Sequence, residues 1–227
     1  MTCNIDVISN NIFTINDQKT KSPIGRRMTI VRLSNNELVV HSPIFYENGM
    51  KEQLERLGQL TTILVPNKWH TLDVKKTYDQ YPQSKILIPK RLQKELSERF
   101  PIHGTYEDDW EKPLADELDM LTIKGLKKPE IIFYHKASKA LIVADVFFNF
   151  DQKDFSGFTK WLMLMNRAIR FGTTRFYMWA MVNDKPIFKR CLEDMINRWK
   201  IEKIIMGHGH IIHTNAEKKV QDAINTL

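Results

Sequence analysis

The stretch Glu130–Asp145, Glu-Ile-Ile-Phe-Tyr-His-Lys-Ala-Ser-Lys-Ala-Leu-Ile-Val-Ala-Asp, decides how this chain is read. Two apolar runs rich in β-branched and aromatic residues, Ile131 to Tyr134 and Ala140 to Ala144, flank a short lysine- and serine-containing connection. That is the pattern of a hairpin between buried strands. With Lys136 to Lys139 as the loop, His135 pairs with Ala140, and counting outward along an antiparallel ladder sets Glu130 opposite Asp145. Two carboxylates facing each other at a sheet edge repel unless a proton is shared or a cation sits between them.

Upstream of the hairpin, Asn11 to Ile15 and Met28 to Leu33 read as short strands. Ser34 to Glu37 reads as a turn, which makes Met28 to Val40 a second hairpin. Asn48 stands in the capping position of a helix from Gly49, with Met50, Leu54 and Leu57 on one face and Gly58 at its end. Leu60 to Val65 is a buried strand stopped by Pro66. Lys85 to Ile88 repeats the theme, ends at Pro89, and leads to a helix from Arg91 to Phe100 with Leu92, Leu96 and Phe100 inward. Pro101 to Pro113 is an excursion over the surface, and Leu118 to Ile123 is a strand leading through Gly125 to the central hairpin.

Downstream, Phe158, Trp161, Leu162, Met165, Ala168 and Ile169 fall on one face of a helix, with Lys160, Arg167 and Arg170 on the other. A basic amphipathic helix can lie on a membrane surface, but the expected role here is to cover a sheet, with the stripe from Trp161 to Met165 in the core. Pro186 opens a helix whose apolar face runs from Ile187 to Trp199. Lys203 to Met206 is a strand ending at Gly207-His208-Gly209, and Asn215 caps a last helix. Strands and helices alternating around one antiparallel pair predict an α/β protein of layered sheets, read as a single domain over 1–227.

Hydrophobic residues at 42% and charged residues at 27% are ordinary globular values, and no apolar stretch is long enough to cross a bilayer. The start, Met-Thr-Cys-Asn-Ile-Asp, lacks the basic beginning and apolar core of a signal peptide, so the cytosol is the expected location. Cys3 and Cys191 are the only cysteines, which supports neither a disulfide framework nor a cysteine zinc site. The net charge of +7 is spread as lysines beside acids, without a run of five or six like charges. Nucleic acid is therefore not the expected partner, while attraction of an anionic small substrate fits the same charge. There is no Gly-rich phosphate loop and no Gly-x-Ser-x-Gly elbow.

Ligands in layered α/β sheets collect beyond the carboxyl ends of strands. Three strands here deliver a polar side chain at that point: His70 after Leu60 to Val65, Asp145 after Ala140 to Ala144, and His208 after Lys203 to Met206. Glu130 joins them through the hairpin count. Two imidazoles and two carboxylates make a sensible donor set for zinc, iron or manganese. Gly207 and Gly209 would let the backbone pass close to such a centre. His210 is a reserve ligand on the same side of an extended segment as His208, and Asn67 is a candidate brace for the His70 loop. His135 is left out, because at ~3.3 Å per residue it lies some 16 Å from both acids.

The order of strand pairs, a Pro66-Asn67-Lys68-Trp69-His70 loop, then Leu141-Ile142-Val143-Ala144-Asp145, then Gly207-His208-Gly209 resembles the metallo-β-lactamase-like superfamily, closest to a domain-of-unknown-function branch of it. The resemblance spans Asn11 to Leu227 by element order and rests on short motifs. It implies an αββα sandwich carrying one or two metals, commonly zinc or iron, that activate water for hydrolysis. It also implies that Asp145 corresponds to the metal-bridging Asp and His208 to the last metal-binding His. The departures are large. The dense Thr-His-x-His-x-Asp-His motif stands here as Pro66-Asn67-Lys68-Trp69-His70-Thr71-Leu72, with one His and out of strict register. A Leu-Ile-Asp-x-Gly strand end is replaced by Leu38-Val39-Val40-His41-Ser42, and the middle His is missing from Gly125 to Glu130.

The expected function is accordingly a metal-dependent hydrolase with a reduced site. One zinc or iron ion is held by His70, Glu130, Asp145 and His208, with Asp145 or Glu130 taking the proton of the attacking water. The rival expectation is an inactive relative that binds a small ligand or a partner protein, with a basic side chain between the two acids. Iron-dependent oxidation at the same ligands is a third. The loops Tyr106 to Pro113 and Phe147 to Gly157 are expected to shape the pocket.

Overall fold

The structure, a computed structural model, describes residues 4–17, 24–47 and 49–227. Backbone contacts divide the chain into two compact units. One is drawn from Met1–Gln18 and Arg26–Leu118, and the other from Lys19–Gly25 and Asp119–Leu227.

The first unit contains β1 (Ile5–Ser9), β2 (Ile12–Asp17), β3 (Arg26–Arg32), β4 (Glu37–His41), α1 (Met50–Leu57), β5 (Gln59–Leu64), α2 (Val74–Gln80), β6 (Lys85–Ile88), α3 (Gln93–Leu96), β7 (Gly104–Thr105) and α4 (Leu114–Glu117). The seven strands lie side by side in chain order. Those joined by short turns, β1 to β4, pair antiparallel. Those joined through α1, α2 and α3, β4 to β7, pair parallel, as a strand that must re-enter the sheet in the same direction needs a crossover segment. Met50 and Leu54 of α1, Val74 of α2, and Leu92 and Leu96 beside β6 bury themselves against Ile63, Val65, Ile86 and Ile88. Each such side chain contributes roughly 1.5–3 kcal/mol by leaving water.

The hairpin expected over Met28 to Val40 is β3 and β4, closed by a turn in which Asn36 adopts φ 65°. Asn48, expected to cap α1, lies outside the described residues. The helix expected from Arg91 to Phe100 is instead a single turn at Lys90–Leu92 followed by the four residues of α3. Leu92, Leu96 and Phe100 are buried all the same, because turns after Leu96 carry Phe100 inward without a continuous helix.

The second unit contains β8 (Leu118–Thr122), β9 (Ile131–His135), β10 (Ala140–Val143), β11 (Phe148–Asn149), α5 (Gly157–Met165), β12 (Phe171–Gly172), α6 (Arg175–Met181), α7 (Lys185–Arg198), β13 (Lys203–Met206) and α8 (Ala216–Asn225). Its main sheet runs β13-β10-β9-β8, and β11 with β12 forms a small antiparallel ribbon. The β9–β10 register is the one counted from sequence: His135 opposite Ala140, Tyr134 opposite Leu141, Phe133 opposite Ile142. β13 joins parallel to β10, setting Met206 beside Val143, so the segments leaving both strands emerge at one edge. Phe188, Leu192 and Met195 of α7 and Val220 and Ile224 of α8 share one core with Ile132, Leu141, Val143, Ile204 and Met206. Asp184 caps α7 by accepting the Ile187 N–H, with Pro186 in the first turn.

One expectation is overturned here. The apolar stripe of α5 is solvent-facing rather than core: Phe158 is 71% exposed, Trp161 53%, Leu162 45% and Met165 52%. The segment is anchored through Met163 and, beyond the helix end, through Ala168 and Ile169 of the expected face, which pack with Phe150 and Phe155. A one-sided stripe tells which residues share a face, and the neighbours available decide whether that face is covered.

Candidate functional site

The edge of the second unit's sheet gathers three of the four residues singled out from sequence. Glu130, immediately before β9, is completely buried. One carboxyl oxygen accepts the backbone N–H groups of Asp145 and Val146, each at 2.9 Å, and the other lies 3.0 Å from the Tyr177 hydroxyl. The facing of Glu130 and Asp145 counted along the hairpin is thus a contact from a buried carboxyl to the backbone that carries the second acid. Burial, and after it the charge of Asp145, pushes the Glu130 carboxyl up to about 8. Both causes favour the neutral carboxyl, which lowers its repulsion with Asp145.

Tyr177 was not foreseen. It sits in α6, whose N-terminus is capped by Thr174 accepting the Tyr177 N–H at 3.1 Å. Thr173 bonds the Val146 carbonyl at 2.9 Å and so ties the start of α6 to the turn after β10. The pairing of Tyr177 with Glu130 spans 47 positions and leaves no local signature in the sequence. The same burial, with the Glu130 charge next, drives the tyrosine hydroxyl well above its ordinary value.

Asp145 leaves the end of β10 with its side chain still 17% exposed. His208 follows β13, and its Nε2 lies 3.3 Å from Asp145 Oδ1. Its Nδ1 lies 2.6 Å from the Gly25 carbonyl oxygen, which can only accept, so Nδ1 carries the ring proton. In the neutral ring, Nε2 then turns a lone pair toward a carboxylate oxygen. An imidazole nitrogen and a carboxylate oxygen are donor atoms of the kind a divalent metal takes. The Phe148 ring stacks on the imidazole at 5.7 Å between centroids and fixes its plane.

The loop carrying His208 is clamped to β11. Gly207 N–H bonds the Val143 carbonyl, His210 N–H bonds the Asn149 carbonyl at 2.7 Å, and the Asn149 side chain returns a bond to the His210 carbonyl. Gly209 has φ 81°, and a Cβ there would collide with the Asn149 backbone. The glycine is therefore required by a strand neighbour, a more local reason than the metal approach expected of it. His210, the reserve ligand, points elsewhere: its Nε2 is 2.8 Å from Asp154 and it is exposed. His135 is held at the hairpin tip by Ser138, 2.7 Å away.

His70 belongs to the first unit, in the turn between β5 and α2. Fully buried Asn67 shapes that turn, its side-chain oxygen accepting the N–H groups of Trp69 and His70 at 2.9 and 3.1 Å. This is the bracing role expected of it, an Asx turn at the carboxyl end of a parallel strand.

The chain matches solved metallo-β-lactamases over nearly its whole length. FIM-1 from Pseudomonas aeruginosa, in its mono-zinc form, superposes with a TM-score of 0.67 at 6% identity, covering 100% of this chain and 96% of that one. DIM-1 gives 0.66 at 13% identity, covering 100% and 98%. A metallo-β-lactamase from Pontibacter korlensis gives 0.64 at 11% identity, covering 99% and 100%. The fold is therefore the metallo-β-lactamase-like α/β fold, with mixed sheets and helices; at these identities the likeness speaks of fold alone. Within that class, residues 10–156 match the model of the family described as Domain of unknown function (DUF4336), and the chain belongs to that family. The matched stretch holds His70, Glu130 and Asp145. No curated protein matches the sequence.

Proposed function

We propose that the protein is a metal-dependent hydrolase whose reduced site holds one zinc or iron ion on Asp145 and His208, with His70 as the further ligand expected from the sequence. The observation that carries this reading is the facing of His208 Nε2 and Asp145 Oδ1 at 3.3 Å, with Nδ1 already committed to the Gly25 carbonyl. Two imidazoles and a carboxylate suit either metal, and three protein ligands leave positions open for water and substrate. A single ion accords with the one histidine in the His70 loop, and FIM-1 has been solved in a mono-zinc form. When bound, such an ion supplies Lewis-acid activation of water near neutral pH.

The chain's own residues have separate tasks. His208 is fixed in one tautomer and one ring plane by Gly25 and Phe148, so its ligating nitrogen needs no reorganisation. Asp145, partly open to solvent, takes the proton that a hydrolytic water must lose. Glu130, expected from sequence as a ligand and base, is reassigned as a positioning residue. Its oxygens are engaged by two backbone N–H groups and Tyr177, and it holds the turn that aims Asp145. The cationic excess of the chain favours an anionic small-molecule substrate.

Elemental analysis of untagged protein tests the reading, with zinc titration against a competing chelator as a second arm. About one equivalent of zinc or iron per chain is expected, and Asp145→Ala and His208→Ala should each lower metal affinity at least 10-fold to 100-fold. Equal and negligible metal in the parent and both variants, in both arms, would end the proposal and favour the catalytically inactive binding module.

A further inference from the structure

The side of the second unit built by α5 and α6 carries a feature that the proposed hydrolase chemistry does not use. On α5, Phe158, Trp161, Leu162 and Met165 recur at helical spacing and face solvent, with Phe158 and Trp161 stacked at 5.5 Å. On α6, Tyr177 and Met181 turn inward while Phe176 is 63% and Trp179 75% exposed. The two helices are tied together, since Asn166 just beyond α5 receives the N–H groups of both Arg175 and Phe176 at the start of α6. Arg175 also bonds the Met165 carbonyl. Large aromatic side chains left in water on two adjoining helices make an apolar surface of the kind that marks an interaction site.

Charge says what the surface meets. From Phe155 to Asn183 the sequence has no Asp or Glu, although the chain has 27 of them, and the same stretch has Lys160, Arg167, Arg170 and Arg175. A cleft of about 420 Å³ opens beside Trp179, lined by Arg167, Arg170, Arg175 and Lys185 with no acidic side chain. Tryptophan and phenylalanine beside a cluster of arginines with no Asp or Glu side chain suit the boundary between acyl chains and anionic headgroups, where aromatic rings sit at headgroup depth and guanidinium groups pair with phosphate. Apolar insertion and cationic attraction are also the two signals that together give a stable peripheral anchor.

We propose that this side of α5 and α6 docks on an anionic lipid bilayer, with Phe158, Trp161, Leu162, Met165, Phe176 and Trp179 entering the interface and the arginine cluster contacting lipid phosphates. No helix among the described residues is long and apolar enough to cross a membrane, so the attachment is peripheral. It does not depend on the metal.

Flotation of the full-length chain with vesicles tests this, using phosphatidylcholine alone or mixed with phosphatidylglycerol. Binding to the anionic vesicles is expected, with a blue shift of tryptophan emission and weakening as salt screens the charges. The double substitutions F158S/W161S and R167E/R170E should each lower binding about tenfold or more. Because all four side chains lie at least partly in solvent, their melting curves should stay close to the parent's. Three results would overturn the proposal: no binding to either vesicle, equal binding to both, or undiminished binding of F158S/W161S. So would self-association removed by F158S/W161S without vesicle binding, which would make the surface a protein interface.

Discussion

Glu130 shows how one buried carboxyl can serve a site without touching its chemistry. It receives two backbone N–H groups and neighbours a tyrosine hydroxyl, yet desolvation and the nearby Asp145 hold its proton on to about pH 8. In the unfolded chain the same group ionises near 4.5. Between those values the folded state binds more protons, so its stability is greatest below the unfolded value and is lost as pH rises toward 8. In chelator-treated protein, thermal melts over roughly pH 5 to 8 should show stability falling with pH, by at most about 1.4 kcal/mol per unit from this group. Glu130→Gln keeps the acceptor for both N–H groups and cannot ionise, so it should flatten that slope. Glu130→Ala strands two buried N–H donors and the tyrosine, at a cost on the order of 3 kcal/mol. A Glu130→Gln protein with the parent's slope would show that the proton is held elsewhere.

Among elements, the segments leaving β10 and β13 carry the candidate site, and their rigidity comes from neighbours rather than from their own sequence. The Gly207–His210 loop is held by Val143 on one strand and Asn149 on another, with Gly209 in a conformation and a space that admit no side chain. Gly209→Ala should cost about 2 kcal/mol or more and should weaken metal binding as well, because the imbalance would be taken up by the loop that aims His208. An unchanged melting temperature together with unchanged zinc affinity would mean that the clamp on Asn149 is dispensable. The parts read correctly from sequence are those with a local cause. Apolar runs stopped by proline or glycine mark β5, β6 and β13, apolar runs either side of a lysine- and serine-containing loop mark β9 and β10, and the period of two fixes the register of that hairpin. The parts missed have no local cause. Tyr177 meets Glu130, and Gly25 meets His208, only through tertiary structure across 47 and 183 positions. β1 and α6 have no such signal, because five exposed-to-intermediate residues and seven residues of which three are aromatic show neither period clearly. The stripe of α5 was seen and assigned to the wrong side, because periodicity is silent about what lies opposite.

At the scale of the whole chain, two compact units need not mean two independent domains. Ile24 and Gly25 group with the second unit, the chain runs from them straight into β3 of the first, and it leaves the first unit after Leu118. The Gly25 carbonyl accepts the His208 imidazole, and Ile24 packs with Phe150, Phe155 and Ala168. Unfolding the second unit frees Ile24 and Gly25, which are covalently joined to the first strand residue of β3, Arg26. We therefore expect the single-domain behaviour read from sequence: one calorimetric transition, with equal calorimetric and van't Hoff enthalpies. Ile63→Ala in the first core and Leu192→Ala in the second should each cost about 2–5 kcal/mol and lower that one transition, seen alike by far-UV circular dichroism and by tryptophan fluorescence. If each substitution instead shifts its own transition and leaves a second one in place, the units fold separately and the covalent link through Ile24 and Gly25 is too weak to couple them.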